Sequence, residues 1–278
     1  MTPVNLVSPD GQIQTQVEID GIEPAQYEQV SDVLGREMER ETRVYVGVAA
    51  AMQTAVNLCP NANPADLWVH LIYHQFRNRF QRADQSWKRV SGQAFEQLVT
   101  TVYQARLADF GIFLRTSTPA DAVAFGLTKR GFGSSKTDLI LEGVHGEKRV
   151  RFGVIHCKAS IAERLTDDAP VSMALRKKGF WSAIVTMDAK MFPPPHGDGV
   201  VRGELGLNAR DKRRYFEVGG QFSGCYSFNL RTPPSPAKVK SGCRIHSLPF
   251  TGEQPDALVR DIAAAWQSFR TRFPEGRR

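Results

Sequence analysis

The stretch Lys136-Thr-Asp138-Leu139-Ile140-Leu141-Glu142 runs through Gly143-Val-His-Gly146-Glu-Lys148 into Arg149-Val-Arg-Phe152-Gly-Val154-Ile155-His156-Cys157-Lys158-Ala-Ser160. Two apolar runs flank a connection with Gly at both ends. That pattern predicts two neighbouring strands joined by a turn over Gly143 to Gly146. Asp138 heads the first strand and Lys158 lies near the end of the second, so the two can meet across a sheet. Leu139, Ile140, Leu141, Phe152, Val154 and Ile155 would seat both strands in a core.

Outward from this pair, the preceding segment Ser91 to Leu107 reads as the clearest helix. Phe95, Leu98, Val99 and Val102 form its apolar stripe, Ser91 is placed to cap it, and Glu96 lies at the stripe's edge. Gly111 ends the helix, and Ile112-Phe-Leu reads as a short strand. Residues 116 to 135 read as a loop with Lys129 and Arg130 near its end. After Lys158, Asp168 and Pro170 signal the start of a helix through Met173 and Leu175, closed by Gly179. Phe180 to Met187 reads as a buried strand. Farther out, Pro24 to Asn57 is helix-rich, Pro60 and Pro64 interrupt it, and Asp66 to Phe80 resumes it. His70 and His74 there read as packed or half-exposed histidines. Residues 1 to about 20 suit a tail or an edge strand. Residues 189 to 240 are irregular with short strands such as Cys225 to Leu230, and Pro255 to Phe273 reads as a last amphipathic helix. The order predicts an α/β fold, a central mixed β-sheet flanked by helices.

The 278 residues suffice for a sizeable core. Hydrophobic content of 41% and charged content of 23% mark a globular chain. A net charge of +7 and a pI near 9.4 favour a polyanionic partner. Cys59, Cys157, Cys225 and Cys243 form no Cys-x-x-Cys pair, which argues against a zinc cluster or a disulfide framework. Neither a membrane-spanning run nor a secretory signal is legible, so a cytoplasmic protein without a membrane partner is expected.

The chemistry that suits Asp138 and Lys158 is phosphodiester hydrolysis. It needs a hard divalent cation held by carboxylates, an activated water and a cation for the developing charge. Asp138, a turn, and an apolar strand ending in Lys158 resemble the core of the PD-(D/E)xK nucleases. The continuation Lys158-Ala-Ser-Ile-Ala-Glu163-Arg164-Leu-Thr-Asp167-Asp168-Ala-Pro170 is similar to the type II restriction endonucleases that read a central CCGG. The likeness implies a restriction-endonuclease-like core in a single nuclease domain, 1-278. Its parts would be a helical N-terminal portion (about 20-85), a catalytic core (about 86-190), and an irregular strand and loop portion with a C-terminal helix (about 190-278).

The resemblance also implies roles. Asp138 matches the metal-ligating aspartate and Lys158 the catalytic lysine. The backbone carbonyl of Cys157 would be a further metal ligand. His156 stands where the wider family has an acid, and no acid stands at Val171 or Ser172, so the second carboxylate comes from Asp167, Asp168 or Glu96. Glu163 and Arg164 resemble part of an element that contacts CCGG bases, a carboxylate accepting from cytosine N4 and an arginine gripping guanine. Ser160-x-x-Glu163 is equally a capping box, and both roles can coexist. The first arginine of that element is replaced by Ala162, so Arg176 and Lys177, or residues 202 to 214, would supply further base contacts. Lys129, Arg130, Lys136 and Ser160 would touch the DNA backbone. The implied activity is Mg2+-dependent cleavage of double-stranded DNA at A/CCGGT, leaving 5′-phosphates and four-base 5′ overhangs. The active form would be a homodimer on DNA, with a cognate methyltransferase protecting host DNA. The alternatives are a non-catalytic DNA-binding protein and a repair nuclease of the same fold.

Overall fold

The computed structural model describes residues 2–7, 14–40, 43–80, 84–127, 137–161, 165–206, 210–250 and 254–273. The first strands, β1 (Thr2–Val7) and β2 (Gln14–Ile19), pair antiparallel rather than forming a tail. Val4 and Ile19 are buried and hold this pair on the body of the protein. A helical portion follows, with α1 (Pro24–Arg40), α2 (Val44–Leu58), the single turn α3 (Pro64–Asp66), a π-helix (Leu67–Tyr73) and α4 (His74–Phe80). Asn63 caps α3 by accepting the Ala65 N–H. His70 is buried, and its imidazole is pushed down to about 4, first by burial and then by the Arg231 charge, while His74 is exposed. Of the two histidines, His70 is the packed one and His74 stands at the surface.

Next come α5 (Asp84–Ala108), β3 (Ile112–Thr116), α6 (Pro119–Ala124), β4 (Leu139–His145), β5 (Lys148–Lys158), α7 (Leu165–Lys177) and β6 (Trp181–Thr186). The chain closes with α8 (Arg210–Glu217), β7 (Cys225–Ser227), β8 (Ile245–Ser247) and α9 (Ala257–Arg272). Strands β3 to β8 form one sheet in sequence order. β3, β4 and β5 run antiparallel, and β5 through β8 run parallel, so the sheet is mixed. β5 and β6 are joined by α7, as parallel neighbours require a crossover.

Both faces of the sheet are covered. Leu141, Phe152, Ile155 and Cys157 pack with the Phe95–Val102 stripe of α5 and with Trp266 and Phe269 of α9. Ile140 and Val154 pack with Val171 and Leu175 of α7. A register shift at Leu141/Glu142 explains why Phe152 shares a face with Ile155 rather than with Val154. The N-terminal helices are tied to the far strands by polar contacts, Asn63 to Asn229 at 3.0 Å and Asp66 to Arg231 at 2.6 Å.

Three local readings change. The turn between β4 and β5 is Gly146-Glu147, with His145 opposite Lys148 and Gly146 at φ 61°; Gly143 lies inside β4. A side chain at Gly143 would overlap the Trp266 indole, so the glycine serves a close helix approach. Ser91 does not cap α5, which begins at Asp84; its hydroxyl donates to the Lys88 carbonyl within the helix. Asp168 does not cap α7 either, because it lies in the first turn of a helix that begins by Leu165, with Pro170 inside.

Gly143→Ala is expected to lower the unfolding free energy by about 1–3 kcal/mol, the usual cost of overpacking. Urea unfolding against the unaltered protein measures it; equal midpoints would mean that α9 yields without cost.

Candidate active site

Asp138 sits one residue before β4, and its carbonyl is fixed by the Ser117 N–H at 2.9 Å. The antiparallel register brings it to the end of β5. There Asp138 Oδ2 accepts two hydrogen bonds, from the Cys157 N–H at 2.7 Å and from the Lys158 ammonium at 2.8 Å. Lys158 is the last residue of β5 and only 8% exposed. Its Nζ also lies 3.0 Å from Asp168 Oδ2 on α7. Burial by itself would push the ammonium down; Asp138 and Asp168 outweigh it, and the net direction is up. Lys158 is therefore a held cation between two carboxylates.

Glu96 reaches the same end of the sheet from α5, on the opposite face. Its carboxyl is pushed up to about 7, first by burial, then by the negative charge of Asp138, with partial relief from Lys158. The charges of Asp138 and Lys158 thus both act on Glu96. The Cys157 side chain points into the core on the α5 side, and burial, then Asp138 and Glu96, drive its thiol well above the usual range. It is a neutral core thiol, so only its backbone could serve a metal.

His156 points to the α7 face. Its Nε2 lies 3.1 Å from Ser182 Oγ and its Nδ1 3.9 Å from Asp168 Oδ2. The position that carries an acid in the wider nuclease family is thus a buried imidazole beside the Asp168 carboxylate. Asp167, the neighbouring candidate, is exposed. Val171 and Ser172 are buried and bring no acid.

The remaining expected residues fall elsewhere. Ser160 donates to Glu204 Oε2 at 2.9 Å, and Glu204 also pairs with Lys212. Arg176 and Lys177 occupy the last turn of α7, at the end opposite Asp168, so the fold does not bring them to the Asp138–Lys158 pair. Lys129, Arg130, Lys136, Glu163 and Arg164 lie outside the described residues.

One arrangement near this end was not legible in the chain. Asp188 follows β6 at φ 47°, a left-handed conformation that Asp tolerates better than most residues. Its buried carboxylate accepts the N–H groups of Glu204 at 2.6 Å and Leu205 at 3.3 Å and the Thr232 hydroxyl at 2.8 Å. Burial nonetheless pushes its carboxyl up to about 6. Asp188 thereby sets the segment whose Glu204 reaches Ser160, two residues past Lys158. An Asp closing an apolar strand was the one signal available.

Among the described residues no group of three or more His, Cys, Asp or Glu side chains is set to hold a metal ion. The donor chemistry still fits a small hard cation. Glu96 and Asp138 are two oxygen donors whose mutual repulsion shows in the raised Glu96 carboxyl, and a divalent ion would relieve it. Mg2+ commonly keeps several waters, so two carboxylates and a carbonyl suffice.

The sequence is 41% identical to the type II restriction enzyme AgeI of Thalassovita gelatinovora over 267 residues, 89% of this chain and 95% of that protein. A family model for the BsaWI restriction endonucleases, type 2, matches residues 122–247. The chain belongs to this family of type II restriction endonucleases. The fold agrees: a crystal structure of a specific complex of AgeI with DNA superposes with a TM-score of 0.87 at 36% identity, covering 95% of this chain and 99% of that one. A crystal structure of a pre-specific BsaWI–DNA complex matches at a TM-score of 0.45 and 19% identity, over 91% and 98% of the two chains, a likeness too remote to add to the assignment. As a restriction endonuclease the protein is a site-specific phosphodiesterase, which sets aside the non-catalytic and repair readings. Among its described residues no helix is long and apolar enough to cross a membrane.

The raised Glu96 carboxyl has a thermodynamic sign. A carboxyl held above its unfolded value of 4.5 adds stability below that pH, and the contribution is lost as pH rises through about 7. In metal-free buffer the wild type should lose stability relative to Glu96→Gln as pH rises across this window. Thermal unfolding of both at stepped pH is the check; parallel profiles would place Glu96 away from the Asp138 charge.

Proposed function

We propose that the protein cuts both strands of duplex DNA at a palindrome with central CCGG, read as A/CCGGT, with Mg2+. The observation that carries the catalytic part is the cluster of Lys158, Asp138 and Asp168 at the end of β5, with Glu96 coupled to it from α5. Asp138, Glu96 and the Cys157 carbonyl would hold Mg2+, whose positive charge would offset the charge on the phosphoryl group. Lys158, kept as an ammonium by its two carboxylates, would bind a non-bridging oxygen and stabilise the pentavalent phosphorus. Asp168 would hold Lys158 in place and fill the gap left by His156. Water adds to phosphorus in line, the bond to O3′ breaks, and the phosphate stays on the 5′ end.

The target reading rests on the likeness of Lys158 to Pro170 to CCGG readers and on the relationship to AgeI. Glu163 and Arg164 would contact the bases, and Ser160, Lys129, Arg130 and Lys136 the backbone. A palindrome cut in both strands asks for two subunits about a two-fold axis, so the active species would be a homodimer on DNA. A cytoplasmic enzyme of this kind needs a methyltransferase of the same specificity to spare host DNA.

Incubating plasmid DNA with enzyme and Mg2+ and sequencing the ends tests this reading. Discrete fragments with 5′-CCGG extensions are expected; ends at unrelated sequences would overturn the target. Asp138→Ala should abolish cutting yet retain a specific gel shift, since metal binding and base reading are separable. Asp168→Asn should slow single-turnover cutting by at least about 100-fold, the scale of losing a positioned charge, whereas Asp167→Asn should cut like the wild type. Equal rates for the two would remove Asp168 from the mechanism.

A further inference from the structure

Helix α5 outruns the sheet. Its Gln104 side chain donates to the Ile112 carbonyl and accepts the Leu114 N–H of β3, residues that lie opposite Gly143 and Leu141 of β4. Two turns nearer the helix start, Glu96 feels the charges of Asp138 and Lys158 at the catalytic end of the sheet. From there α5 continues back to Asp84. At ~1.5 Å per residue, its first turns project ~18 Å beyond the level of Glu96. A duplex whose scissile phosphate meets Asp138 and Lys158 passes alongside this projection.

Arg89 lies seven residues before Glu96. That is two helical turns, so both side chains leave α5 along one stripe, ~10 Å apart. Arg89 lines a cavity of about 320 Å³ between the starts of α5 and α2 and the helix α4. Arg43, the residue before α2, lines it too and donates to the Tyr45 hydroxyl at 3.3 Å, while Gln93 lines it on the Glu96 side. Arg43, Arg89 and Gln93 are exposed. Behind them Phe76 and Val90 are buried, and the Trp87 ring braces Phe76 with centroids 5.0 Å apart. Among the described residues that line the cavity none is an acid.

Solvation accounts for a single exposed arginine. Two guanidiniums on one cavity repel each other, and an anion between them relieves that repulsion. We propose that this cavity is a phosphate site, in which Arg43 and Arg89 grip a backbone phosphodiester of the DNA a few nucleotides from the bond that is cut. The inference rests on the reading of Glu96, Asp138 and Lys158 as the cutting site. Each strand of a duplex carries a charge every ~3.4 Å of axis, so phosphates a few steps from the scissile one fall at the distance of Arg89 from Glu96. Such a contact reads no base; it fixes the register of the strand on the catalytic carboxylates. Because Glu96 and Arg89 share one rigid helix, the phosphate held at one sets where the backbone lies at the other.

The test is the double variant Arg43→Gln/Arg89→Gln, with Lys88→Gln as control; Lys88 is exposed and lies ~100° around α5 from Arg89. In metal-free buffer each protein binds a short duplex carrying ACCGGT, in which the phosphates of one strand are replaced one at a time by neutral methylphosphonates. At one or two positions flanking the scissile phosphate the wild type should lose about tenfold in affinity, the scale of a hydrogen-bonded charge. There the double variant should lose less than about twofold, while its response at all other positions matches the wild type. Lys88→Gln should keep the whole wild-type profile. Arg89→Gln alone should show the same loss of response at the same positions, and it decides the matter if the double variant does not fold. Identical profiles for wild type and the arginine variants overturn the proposal, and so does a Lys88→Gln profile that changes as theirs do. The scan needs no cutting, so an uncut plasmid in Mg2+ would sink the catalytic reading while an altered scan still upheld the phosphate site.

Discussion

The arrangement depends on one oxygen. Asp138 Oδ2 receives the Cys157 amide and the Lys158 ammonium together, 2.7 and 2.8 Å away. Two hydrogen bonds to a single atom fix where β4 begins against where β5 ends. A slip of one residue would send Lys158 to the α5 face and Cys157 to the α7 face, because side chains alternate along a strand. The register is held on both sides by apolar pairing, Leu139 opposite Ile155 and Ile140 opposite Val154. Burying an ammonium this deeply is costly unless it is paired. Asp168 supplies the second partner from the crossover helix, and the result is a cation held close to its carboxylates.

The same geometry explains a departure from the wider nuclease pattern. An acid at position 156 would point to the α7 face beside Asp168, setting two carboxylates side by side. His156 occupies that place as an imidazole rather than a second carboxylate, and α7 brings the acid instead. On the other face Glu96 meets the Asp138 charge and is held partly protonated near neutrality. The site thus divides its acids between the two layers of helices, with the sheet end between them. A divalent ion is the species that such a division suits.

Much of this was legible in the chain because it is local. Apolar runs bounded by Gly announced β4 and β5, the stripe Phe95–Val102 announced α5, and the basic balance agreed with a polyanionic substrate. Where the reading erred, the deciding neighbour was distant in sequence. Gly143 looked like a turn residue, but it is a strand residue against Trp266, far along the chain on the last helix. Ser91 and Asp168 looked like caps, yet their helices start earlier: the added turns of α5 carry Trp87, whose ring packs on Trp68, Tyr73 and Phe76, and Leu165 of α7 joins the core with Ile184.

By itself the sequence determined the strands, their order around the Asp138–Lys158 pair, and the family, because each is written in contiguous residues. Only the tertiary structure decided that Asp168 rather than Asp167 faces the lysine, that Glu96 shares the Asp138 charge, and that Arg176 and Lys177 stand at the far end of the sheet. Those outcomes depend on helix rotation and strand direction, which are set by burial across the whole core and leave no mark on the residues themselves.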